Sequence, residues 1–580
     1  MRRRCSERSR GRPPAGCGGS TCGPGAGPTT RSCPSPGTTR RCPVGDHAAS
    51  ERRGHRVDLR TGLTVDTADG ARLHTDVVRP AGSGRYPAVL LRTPYGTGSH
   101  LREAVGWATR GWVAVLQDVR GRFSSTGAWD PWNGSEGPDG LATLRWITDQ
   151  PWCDGRVIAY GGSYAAHCAV ELATTAAGPA GAADDLRALV GVVACVPALS
   201  TAHTIREPTG VPRLLAHAWF WPSHGDTPLP RGPVLDAILA AEPDLLRHLP
   251  VVDLPARLGV DLPSFAGRWS TSRPQPLLSP ARPGAVLPPL LCVGGQFDAY
   301  ADAAVELWRA WPTADAALLF GAWSHDLGLA ARPRNGDLPL APGHRVPVGR
   351  FVAGWAESVL TRRPGRGRRW AAAVQGTDDW AWGAGDLTAE PLELPLREPV
   401  PTWFDCDPDV PHPAALGTVD VVVELARPDC SVAETSALTE DLTLLGAPRV
   451  TLAGLAATTV DGRPVAAGTA LDWMIRLAVV APDGRAVQLG HAAARTADPA
   501  VAVDLPPLAH RIPAGHRLAV GVSGHLFPVH PRDPQDGSDP LTATTLRPLR
   551  RQVGQVGLTV PRTHPGSAHG PATEAIGALT

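Results

Sequence analysis

The segment that decides the fold is VIAYGGSYAAHCAVELA, residues 157–173. It opens with apolar residues typical of a buried strand, passes through Gly161 and Gly162 to Ser163, and ends in a helix-like stretch, Cys168–Ala173. Small residues around a serine let a strand and a helix approach closely, and the sharp turn between them exposes the hydroxyl. The backbone N–H groups at the start of a helix also favour an oxyanion. We therefore predict that Ser163 is a catalytic nucleophile.

A serine nucleophile needs a base, and the base needs an orienting carboxylate. The apolar strand Leu290–Val293 leads to Asp298, and the apolar strand Ala317–Phe320 leads to His325. Because parallel sheets place their active sites at the carboxyl ends of strands, we expect both side chains at the same edge as the serine. The chain order Ser, Asp, His is the order of an α/β-hydrolase triad. Asp326 is a rival orienter by sequence, but adjacent side chains point apart.

The pattern around this segment predicts the domain organisation. Alternating strands and helices predict an α/β-hydrolase core, a mostly parallel sheet with helices on both faces, over residues 51–199 and 288–345. Residues 200–287 contain helical patches without strand alternation, so we expect a helical cap inserted into the core. Short strands closed by Gly, Pro and Asp turns predict a C-terminal β-sandwich over residues 346–562. Residues 563–580 have few large apolar groups and are expected to form a flexible tail.

Composition excludes several other classes of function. With 580 residues the chain is too long for one core. Its 56 basic and 55 acidic residues give a net charge of +1, so charge offers no case for nucleic acid or an anionic membrane as a partner. The chain has no Lys, which excludes a Schiff-base or P-loop lysine. No apolar run approaches the ~20 residues of a membrane-spanning helix, and we expect no secretory signal.

The first fifty residues differ from the rest in composition. Residues 1–50 are rich in Arg, Gly, Pro, Ser and Thr, and they cannot bury enough apolar surface to offset the entropy of ordering. We expect a disordered extension, or residues that an upstream start codon adds to the native protein. Its cysteines form no CxxC pair, so a zinc site is weakly supported. The remaining cysteines are scattered, several of them in apolar surroundings, and favour a reduced protein in the cytoplasm.

Several motifs, in this order, resemble the CocE/NonD-type hydrolases, the family of cocaine esterase and X-prolyl dipeptidyl-peptidase. That family has a Gly-x-Ser-Tyr-x-Gly elbow, a Gly-x-x-Asp loop and a Gly-x-Trp-Ser-His loop, matched here by Gly161–Ala166, Gly295–Asp298 and Gly321–His325. Further similarity lies in RTPY at 92–95, QDVRGRFSSTG at 117–127, and LTEDL at 438–442 with residues 527–537. The last two look like pieces of the family's C-terminal jelly roll, so the expected sandwich would be a jelly roll.

The resemblance implies a role for each matching residue. The serine, the histidine and the aspartate would be nucleophile, general base and orienter. The family's oxyanion hole would fall on the hydroxyl of Tyr95 and the backbone N–H of Tyr164. One departure is Ala166, where the family has the last glycine of the elbow. Because alanine is still small, we expect a tighter elbow and not an inactive one.

These observations predict a serine hydrolase that cleaves ester or amide bonds of small acyl substrates through an acyl-enzyme intermediate. No metal and no organic cofactor is needed for this chemistry. The partner would be a small ester, an amide or a short peptide. Substrate contacts are expected from aromatic side chains, namely Trp219, Phe220 and Trp221 in the cap and Phe297 beside the aspartate loop. The resemblance also implies a homodimer, although the sequence leaves the oligomeric state open.

Three alternatives remain open from the sequence. An X-prolyl dipeptidyl aminopeptidase would need an acidic anchor for a free amino terminus, for which the cap offers Glu207, Asp226 and Glu242 without a reason to choose among them. An α-amino-acid ester hydrolase or acylase would share the same framework. The non-enzymatic alternative is a binding protein with a vestigial hydrolase core. Retention of the three triad residue types and of Tyr95 weighs against that last alternative.

Overall fold

A computed structural model describes residues 56–226, 234–270, 278, 284–313, 315–335, 338–361, 366–387, 389–414, 420–563 and 567–580. The extension predicted over residues 1–50 lies outside the described residues. Within the described ranges, no helix combines the length and the apolar character needed to cross a membrane.

The strands and helices are numbered along the chain. The strands are β1 (Val57–Asp66), β2 (Arg72–Pro80), β3 (Tyr86–Thr93), β4 (Val113–Asp118), β5 (Cys153–Gly162), β6 (Leu189–Cys195), β7 (Leu290–Gly295), β8 (Ala316–Gly321), β9 (Arg334–Asn335), β10 (Leu338–Pro339), β11 (Arg369–Ala373), β12 (Trp380–Ala384), β13 (Glu390–Leu394), β14 (Trp403–Cys406), β15 (Cys430–Glu434), β16 (Leu442–Gly446), β17 (Arg449–Ala453), β18 (Ala456–Thr459), β19 (Leu471–Val480), β20 (Ala486–Thr496), β21 (Ala500–Asp504), β22 (Leu508–Ile512), β23 (Arg517–Ser523), β24 (Leu549–Gln552), β25 (Gln555–Arg562) and β26 (Ala568–Gly570). The helices are α1 (Leu101–Ala108), α2 (Glu136–Thr148), α3 (Tyr164–Ala177), α4 (Ala183–Ala188), α5 (Thr201–Thr204), α6 (Leu214–His224), α7 (Val234–Ala241), α8 (Leu254–Arg257), α9 (Ser264–Ser270), α10 (Ala301–Ala310), α11 (Val348–Thr361), α12 (Val422–Leu425) and α13 (Ala572–Leu579).

One large sheet carries the predicted site. Eleven of the described strands form it in the order β1-β2-β4-β3-β5-β6-β7-β8-β11-β12-β26. The strands from β4 to β11 in this order are parallel, and antiparallel strands complete both edges. Because β5, β7 and β8 run in the same direction, the loops that follow them open at one edge of the sheet. Ser163, Asp298 and His325 stand in those loops.

Helices cover both faces of this sheet. Successive residues of a strand point to opposite faces, so Val157 and Ala159 belong to one core cluster while Ile158 belongs to another. Helices α2, α3 and α10 pack on the first face, and α1, α11 and α13 pack on the second. A parallel sheet buried on both faces accounts for the continuous apolar runs of its strands.

The described part of the segment between β6 and β7 is helical, with α5–α9 and short 3₁₀ turns. Its own core contains the fully buried Trp221 and Trp269 with Leu214 and Phe265. The cap also packs against the hydrolase loops, since the same cluster includes Trp132.

The C-terminal part is an antiparallel sandwich. Strands β13, β16, β17, β21, β22 and β25 form one sheet, β15, β23, β19 and β20 form a second, and β14, β24 and β18 form a third. The sheets enclose a core of alternating inward side chains such as Trp473, Ile475 and Leu477. The predicted fold class, a hydrolase core with a helical cap and a C-terminal jelly roll, is confirmed.

Two predicted boundaries differ from the structure. The hydrolase sheet continues past residue 345, because α11 packs on it and β11 pairs with β8 in parallel. The tail expected to be flexible over residues 563–580 is folded where it is described: β26 pairs with β12, and α13 inserts Ala575 and Leu579 into the hydrolase core. Composition misled here, because one strand pairing and a few apolar side chains of α13 are enough to dock a short segment.

Candidate active site

The serine lies on a strained turn between β5 and α3. Its backbone has φ 58° and ψ −123°, a conformation that costs a non-glycine residue free energy and that clusters at functional sites. Neighbouring glycine makes the turn fit, because a Cβ on Gly161 would lie 2.2 Å from the backbone of Ala165. The N–H of Ser163 donates to the carbonyl of Cys195 at 2.9 Å, which ties the turn to β6. The elbow predicted from the sequence is therefore present, with the small Ala166 fully buried beneath it.

The predicted base and orienter meet as a pair. Nδ1 of His325 lies 2.9 Å from Oδ1 of Asp298. A carboxylate only accepts hydrogen bonds, so Nδ1 carries the proton and Nε2 is left as the basic nitrogen. The same carboxylate oxygen accepts the backbone N–H of Tyr300 at 3.1 Å, which fixes its orientation.

The aspartate tunes the histidine. The Asp298 side chain is fully buried, whereas 43% of the His325 side chain is exposed. Partial burial of the imidazole lowers its pKa, but the charge and the hydrogen bond of Asp298 outweigh that effect and raise the pKa of His325 above its ordinary value. A raised pKa makes this imidazole a stronger base toward a serine hydroxyl.

Two donors converge beside the serine. The backbone N–H of Tyr164 lies 3.4 Å from the hydroxyl oxygen of Tyr95. Burial raises the pKa of Tyr95 against the opposing effect of hydrogen bonds with the Ser163 side chain and the Tyr164 amide, so the phenol stays protonated and able to donate. The two groups predicted for an oxyanion hole are thus next to the nucleophile.

Gln296 anchors the loop that carries Asp298. The buried side chain of Gln296 donates to the carbonyl of Ala373 at 2.6 Å, and its oxygen accepts from the N–H of Ala509 at 2.9 Å. The loop that carries Asp298 is therefore tied both to β11 and to the jelly roll. Sequence reasoning missed this glutamine, and its place after a strand was the only signal.

All five residues predicted for catalysis and oxyanion binding line one cavity of about 1130 Å³. The hydrolase loops form its floor, and the cap contributes Trp219, Phe220 and the Glu207–Arg213 pair. The jelly roll closes a further wall with residues 488–491, where a bulge in β20 interrupts its pairing with β19. A largely pre-formed cleft at a domain junction is the usual setting of a small-molecule site.

Three of the four predicted substrate contacts lie on this cavity. Trp219, Phe220 and Phe297 line it, and 45% of Trp219 is exposed. Trp221 is a correction, because the structure buries it completely in the cap core, where its indole N–H donates to Ser264 at 2.9 Å. Its ring stacks on His217 with centroids 4.6 Å apart. Its role in the structure is to hold the cap together.

Tyr300 and His224 are among the aromatic residues of the cavity that were not predicted. Tyr300 lies edge-on to the imidazole of His325 at 5.5 Å between ring centroids, and His224 lies edge-on to Tyr95 at 5.2 Å. Tyr300 follows the aspartate by two positions, so its place in the loop was a usable signal. His224 ends a cap helix far along the chain, and no local pattern could have linked it to Tyr95.

Asp326, the other carboxylate considered as orienter of the histidine, binds a backbone group instead. The carboxylate of Asp326 accepts the backbone N–H of Gly328 at 2.9 Å and caps the turn that follows the histidine. Asp298, and not Asp326, is the carboxylate that reaches Nδ1 of His325.

The chain matches two protein-family profiles and a characterised relative. The profile described as "X-Pro dipeptidyl-peptidase (S15 family)" matches residues 69–326, and the one described as "X-Pro dipeptidyl-peptidase C-terminal non-catalytic domain" matches residues 368–569. Cocaine esterase of Rhodococcus sp. (strain MB1 Bresler) is 25% identical over 606 aligned positions, covering 88% of this chain and 96% of that protein.

Solved structures show the same fold. An α-amino acid ester hydrolase superposes with a TM-score of 0.68 at 18% identity, over 90% of this chain and 99% of the other. An aminopeptidase from a marine sediment Thaumarchaeota archaeon superposes with a TM-score of 0.63 at 19% identity, over 91% and 99%.

The fold and the comparisons define a serine hydrolase of the α/β-hydrolase class that acts on ester or peptide bonds. Within that class, the chain belongs to the CocE/NonD-type X-Pro dipeptidyl-peptidase family.

Proposed function

We propose that the protein hydrolyses esters of small uncharged acyl groups, with Ser163 as nucleophile, His325 as base and Asp298 as orienter. The observation that carries this proposal is the Asp298–His325 hydrogen bond of 2.9 Å at the same cavity as the strained serine. A strained non-glycine turn and a buried carboxylate–imidazole pair are costly features that active sites retain.

The chemistry follows from these positions. The Ser163 hydroxyl attacks the substrate carbonyl and gives its proton to Nε2 of His325, while the carbonyl π electrons move to the oxygen. The Tyr95 hydroxyl and the Tyr164 N–H donate to that oxyanion. Collapse expels the alcohol, which takes the proton from Nε2, and leaves an acyl ester on the serine. Water then repeats the sequence, which releases the acid and restores the serine.

The acidic cap residue that lines the cavity, Glu207, is neutralised by an arginine. Glu207 lines the cavity, but Nε and Nη2 of Arg213 hold its two oxygens at 3.0 and 2.9 Å. Burial opposes ionisation of this carboxyl, yet the Arg213 charge outweighs burial and lowers the pKa of Glu207 to about 2. The pair is neutral overall, so it gives little attraction to a substrate ammonium.

The other two acidic cap residues are engaged away from the cavity. Asp226 accepts the N–H of Ser264 at 3.0 Å and also binds its hydroxyl. Glu242 pairs with Arg257 at the surface. Neither lines the cavity. None of the three cap anchors considered for a dipeptidyl-peptidase is therefore available to a free amino terminus, which favours the esterase.

One observation supports a second candidate, an aminopeptidase. Glu103 also lines the cavity, and 35% of its side chain is exposed. Its carboxylate lies 3.4 Å from Nδ1 of His100 and also accepts a hydrogen bond from the Tyr160 hydroxyl, and both are weaker neutralising contacts than an arginine. If a substrate ammonium binds in this cavity, Glu103 is the carboxylate that would receive it.

The test compares p-nitrophenyl butyrate with Ala-Pro-p-nitroanilide in wild type, Ser163→Ala and the exposed-serine control Ser538→Ala. We expect ester turnover in wild type and in the control, none above background in Ser163→Ala, and fluorophosphonate labelling of Ser163 alone. Peptide turnover that exceeds ester turnover and falls in Glu103→Gln would replace the esterase with the aminopeptidase. Absence of both activities, together with absence of labelling, would overturn the enzyme proposal.

We also propose a cytoplasmic location. The six described cysteines are buried and unpaired: Cys153, Cys168, Cys195, Cys292, Cys406 and Cys430. Free thiols of this kind fit a reducing compartment. Fractionation of the native host would test the proposal, and recovery of the protein outside the cytoplasm would refute it.

A further inference from the structure

A buried arginine lies between the oxyanion loop and the cap. Arg122 stands in the loop after β4, and its side chain is fully buried. Its Nε donates to the carbonyl of Pro94 at 3.0 Å, and its Nη1 donates to the carbonyl of His224 at 3.0 Å. Pro94 directly precedes Tyr95, and His224 is the last residue of α6. One planar guanidinium therefore joins the loop of the oxyanion tyrosine to a helix end of the cap.

The same cap residue touches the tyrosine from the other side. The ring of His224 lies edge-on to the ring of Tyr95, with centroids 5.2 Å apart. Tyr95 is thus held at its backbone by the Arg122–Pro94 hydrogen bond and at its ring by His224, whose own backbone Arg122 also binds. The contacts form a closed ring of four residues, Arg122, Pro94, Tyr95 and His224.

Charge and helix geometry support the arrangement. Carbonyl groups at the end of a helix lack intrahelical donors and carry partial negative charge, so a guanidinium is a favourable partner there. Burial lowers the pKa of Arg122 to about 10, which still leaves the group protonated at neutral pH. Its positive charge also acts on Tyr95, where it opposes the rise in pKa caused by burial.

We propose that Arg122 is a positioning residue that sets the Tyr95 hydroxyl for the oxyanion by tying the Pro94 carbonyl to the end of cap helix α6. The inference rests on the proposed function, because it assigns Arg122 a role in that site. It assigns a kinetic consequence to cap docking, because the contact between Arg122 and the end of α6 also bears on the position of Tyr95.

The chain offers a matched control. The indole N–H of Trp129 donates to the same His224 carbonyl at 2.7 Å. Trp129→Phe removes that second tie of the cap and leaves the Arg122–Pro94 hydrogen bond in place. If Arg122 served only to dock the cap, the two substitutions would act alike on the cavity. If it positions Tyr95, only the arginine variant changes the chemical step.

The experiment measures kcat and KM for p-nitrophenyl butyrate in Arg122→Met, Arg122→Lys and Trp129→Phe, each with its unfolding temperature. Misplacement of a reacting group by about 1 Å costs about 100-fold in rate, so we expect Arg122→Met to lower kcat by about 10- to 100-fold with little change in KM. Lysine keeps the charge but lacks the planar guanidinium that directs separate N–H groups at the two carbonyls, and we expect an intermediate kcat. Trp129→Phe should keep kcat within about threefold.

A double-mutant cycle decides whether the effect passes through the tyrosine. In a Tyr95→Phe background there is no hydroxyl to position, so Arg122→Met should cost less than about threefold in kcat. An equal loss in both backgrounds would overturn the inference, as would an equal loss of kcat in Trp129→Phe. If Arg122→Met fails to fold, the same cycle with Arg122→Lys takes its place. An inactive wild type would refute the proposed function, whereas an active wild type with unchanged Arg122 variants would refute only this inference.

Discussion

Asp298→Asn tests the core of the proposed site, because it removes one charge and keeps the shape of the side chain. In the wild type the Asp298 carboxylate holds Nδ1 of His325 at 2.9 Å and also accepts the N–H of Tyr300. An amide oxygen can still accept both hydrogen bonds, so the loop should fold as before. What disappears is the attraction between the carboxylate and the imidazolium that forms when the serine gives up its proton.

The magnitude follows from that distance. With an effective dielectric constant of about 20, opposite unit charges 2.9 Å apart attract each other by about 6 kcal/mol. Because 43% of the histidine side chain is exposed, solvent screening reduces the attraction to about 4–5 kcal/mol. Since 1.36 kcal/mol is tenfold in rate, kcat should fall by about 10³- to 10⁴-fold.

The pH profile gives an independent readout. Asp298 raises the pKa of His325, and only the neutral imidazole can accept the serine proton. The wild-type rate should therefore rise as pH passes upward through the raised pKa. Removal of the carboxylate lowers that pKa, so the rise in Asp298→Asn should occur at lower pH and reach a lower plateau.

The assay is steady-state hydrolysis of p-nitrophenyl butyrate from pH 5 to 9, with Asp326→Asn as the control. Asp326 is the neighbouring carboxylate and caps a turn instead of binding the imidazole, so its substitution should leave kcat within about threefold. The reasoning fails if Asp298→Asn retains more than a tenth of wild-type kcat. It also fails if the midpoint of the pH profile does not move, or if Asp326→Asn gives the larger loss.

Further predictions concern the oxyanion hole, the cap and the C-terminus. Tyr95→Phe removes one of two oxyanion donors and should lower kcat by about 10²- to 10³-fold at nearly constant KM; a rise in KM alone would assign the tyrosine to substrate binding. Trp219→Ala should change KM and substrate preference with little effect on the unfolding temperature, because the side chain lines the cavity and is 45% exposed. Trp221→Ala, in the buried core of the cap, should cost about 3–5 kcal/mol of folding stability; calorimetry that ranks the two variants the other way contradicts the assignment. Deletion of residues 571–580 should lower the unfolding temperature, since it uncovers the face of the hydrolase core that Ala575 and Leu579 fill; an unchanged transition would mean that α13 adds no stability.

The placement of three predicted residues at one edge of the sheet could be derived from the sequence because the information for it is local. Ser163, Asp298 and His325 each follow a short apolar strand, and a parallel sheet brings such loops to one edge whatever lies between them in sequence. The distances between the elements along the chain are therefore unimportant to the prediction. For each of the three residues, the strand, the turn and the functional side chain are adjacent along the chain. The sequence pattern therefore shows all three together.

The cap could not be predicted to the same depth. Helix α6 reads LLAHAWFWPSH, with apolar side chains on every face, so its pattern does not show which face meets the cavity and which meets the cap core. Trp219 and Trp221 are two residues apart, or about 200° around a helix, and lie on opposite sides. Because both residues are tryptophan, the sequence could not show that Trp219 lines the cavity and that Trp221 is buried in the cap core.

The polar contacts between domains depend on tertiary structure alone. Arg213 of the cap donates to the carbonyl of Ala299, next to Asp298, and Arg122 of the hydrolase core donates to the carbonyl of His224 at the end of cap helix α6. Both acceptors are backbone groups, so no complementary side chain marks either partner in the sequence. The two arginines attach the cap beside the loops that carry Asp298 and Tyr95. It follows that substitutions in the cap can change the rate of the chemical step as well as substrate choice, and that grafting a cap from a relative should preserve activity only where both backbone contacts are restored.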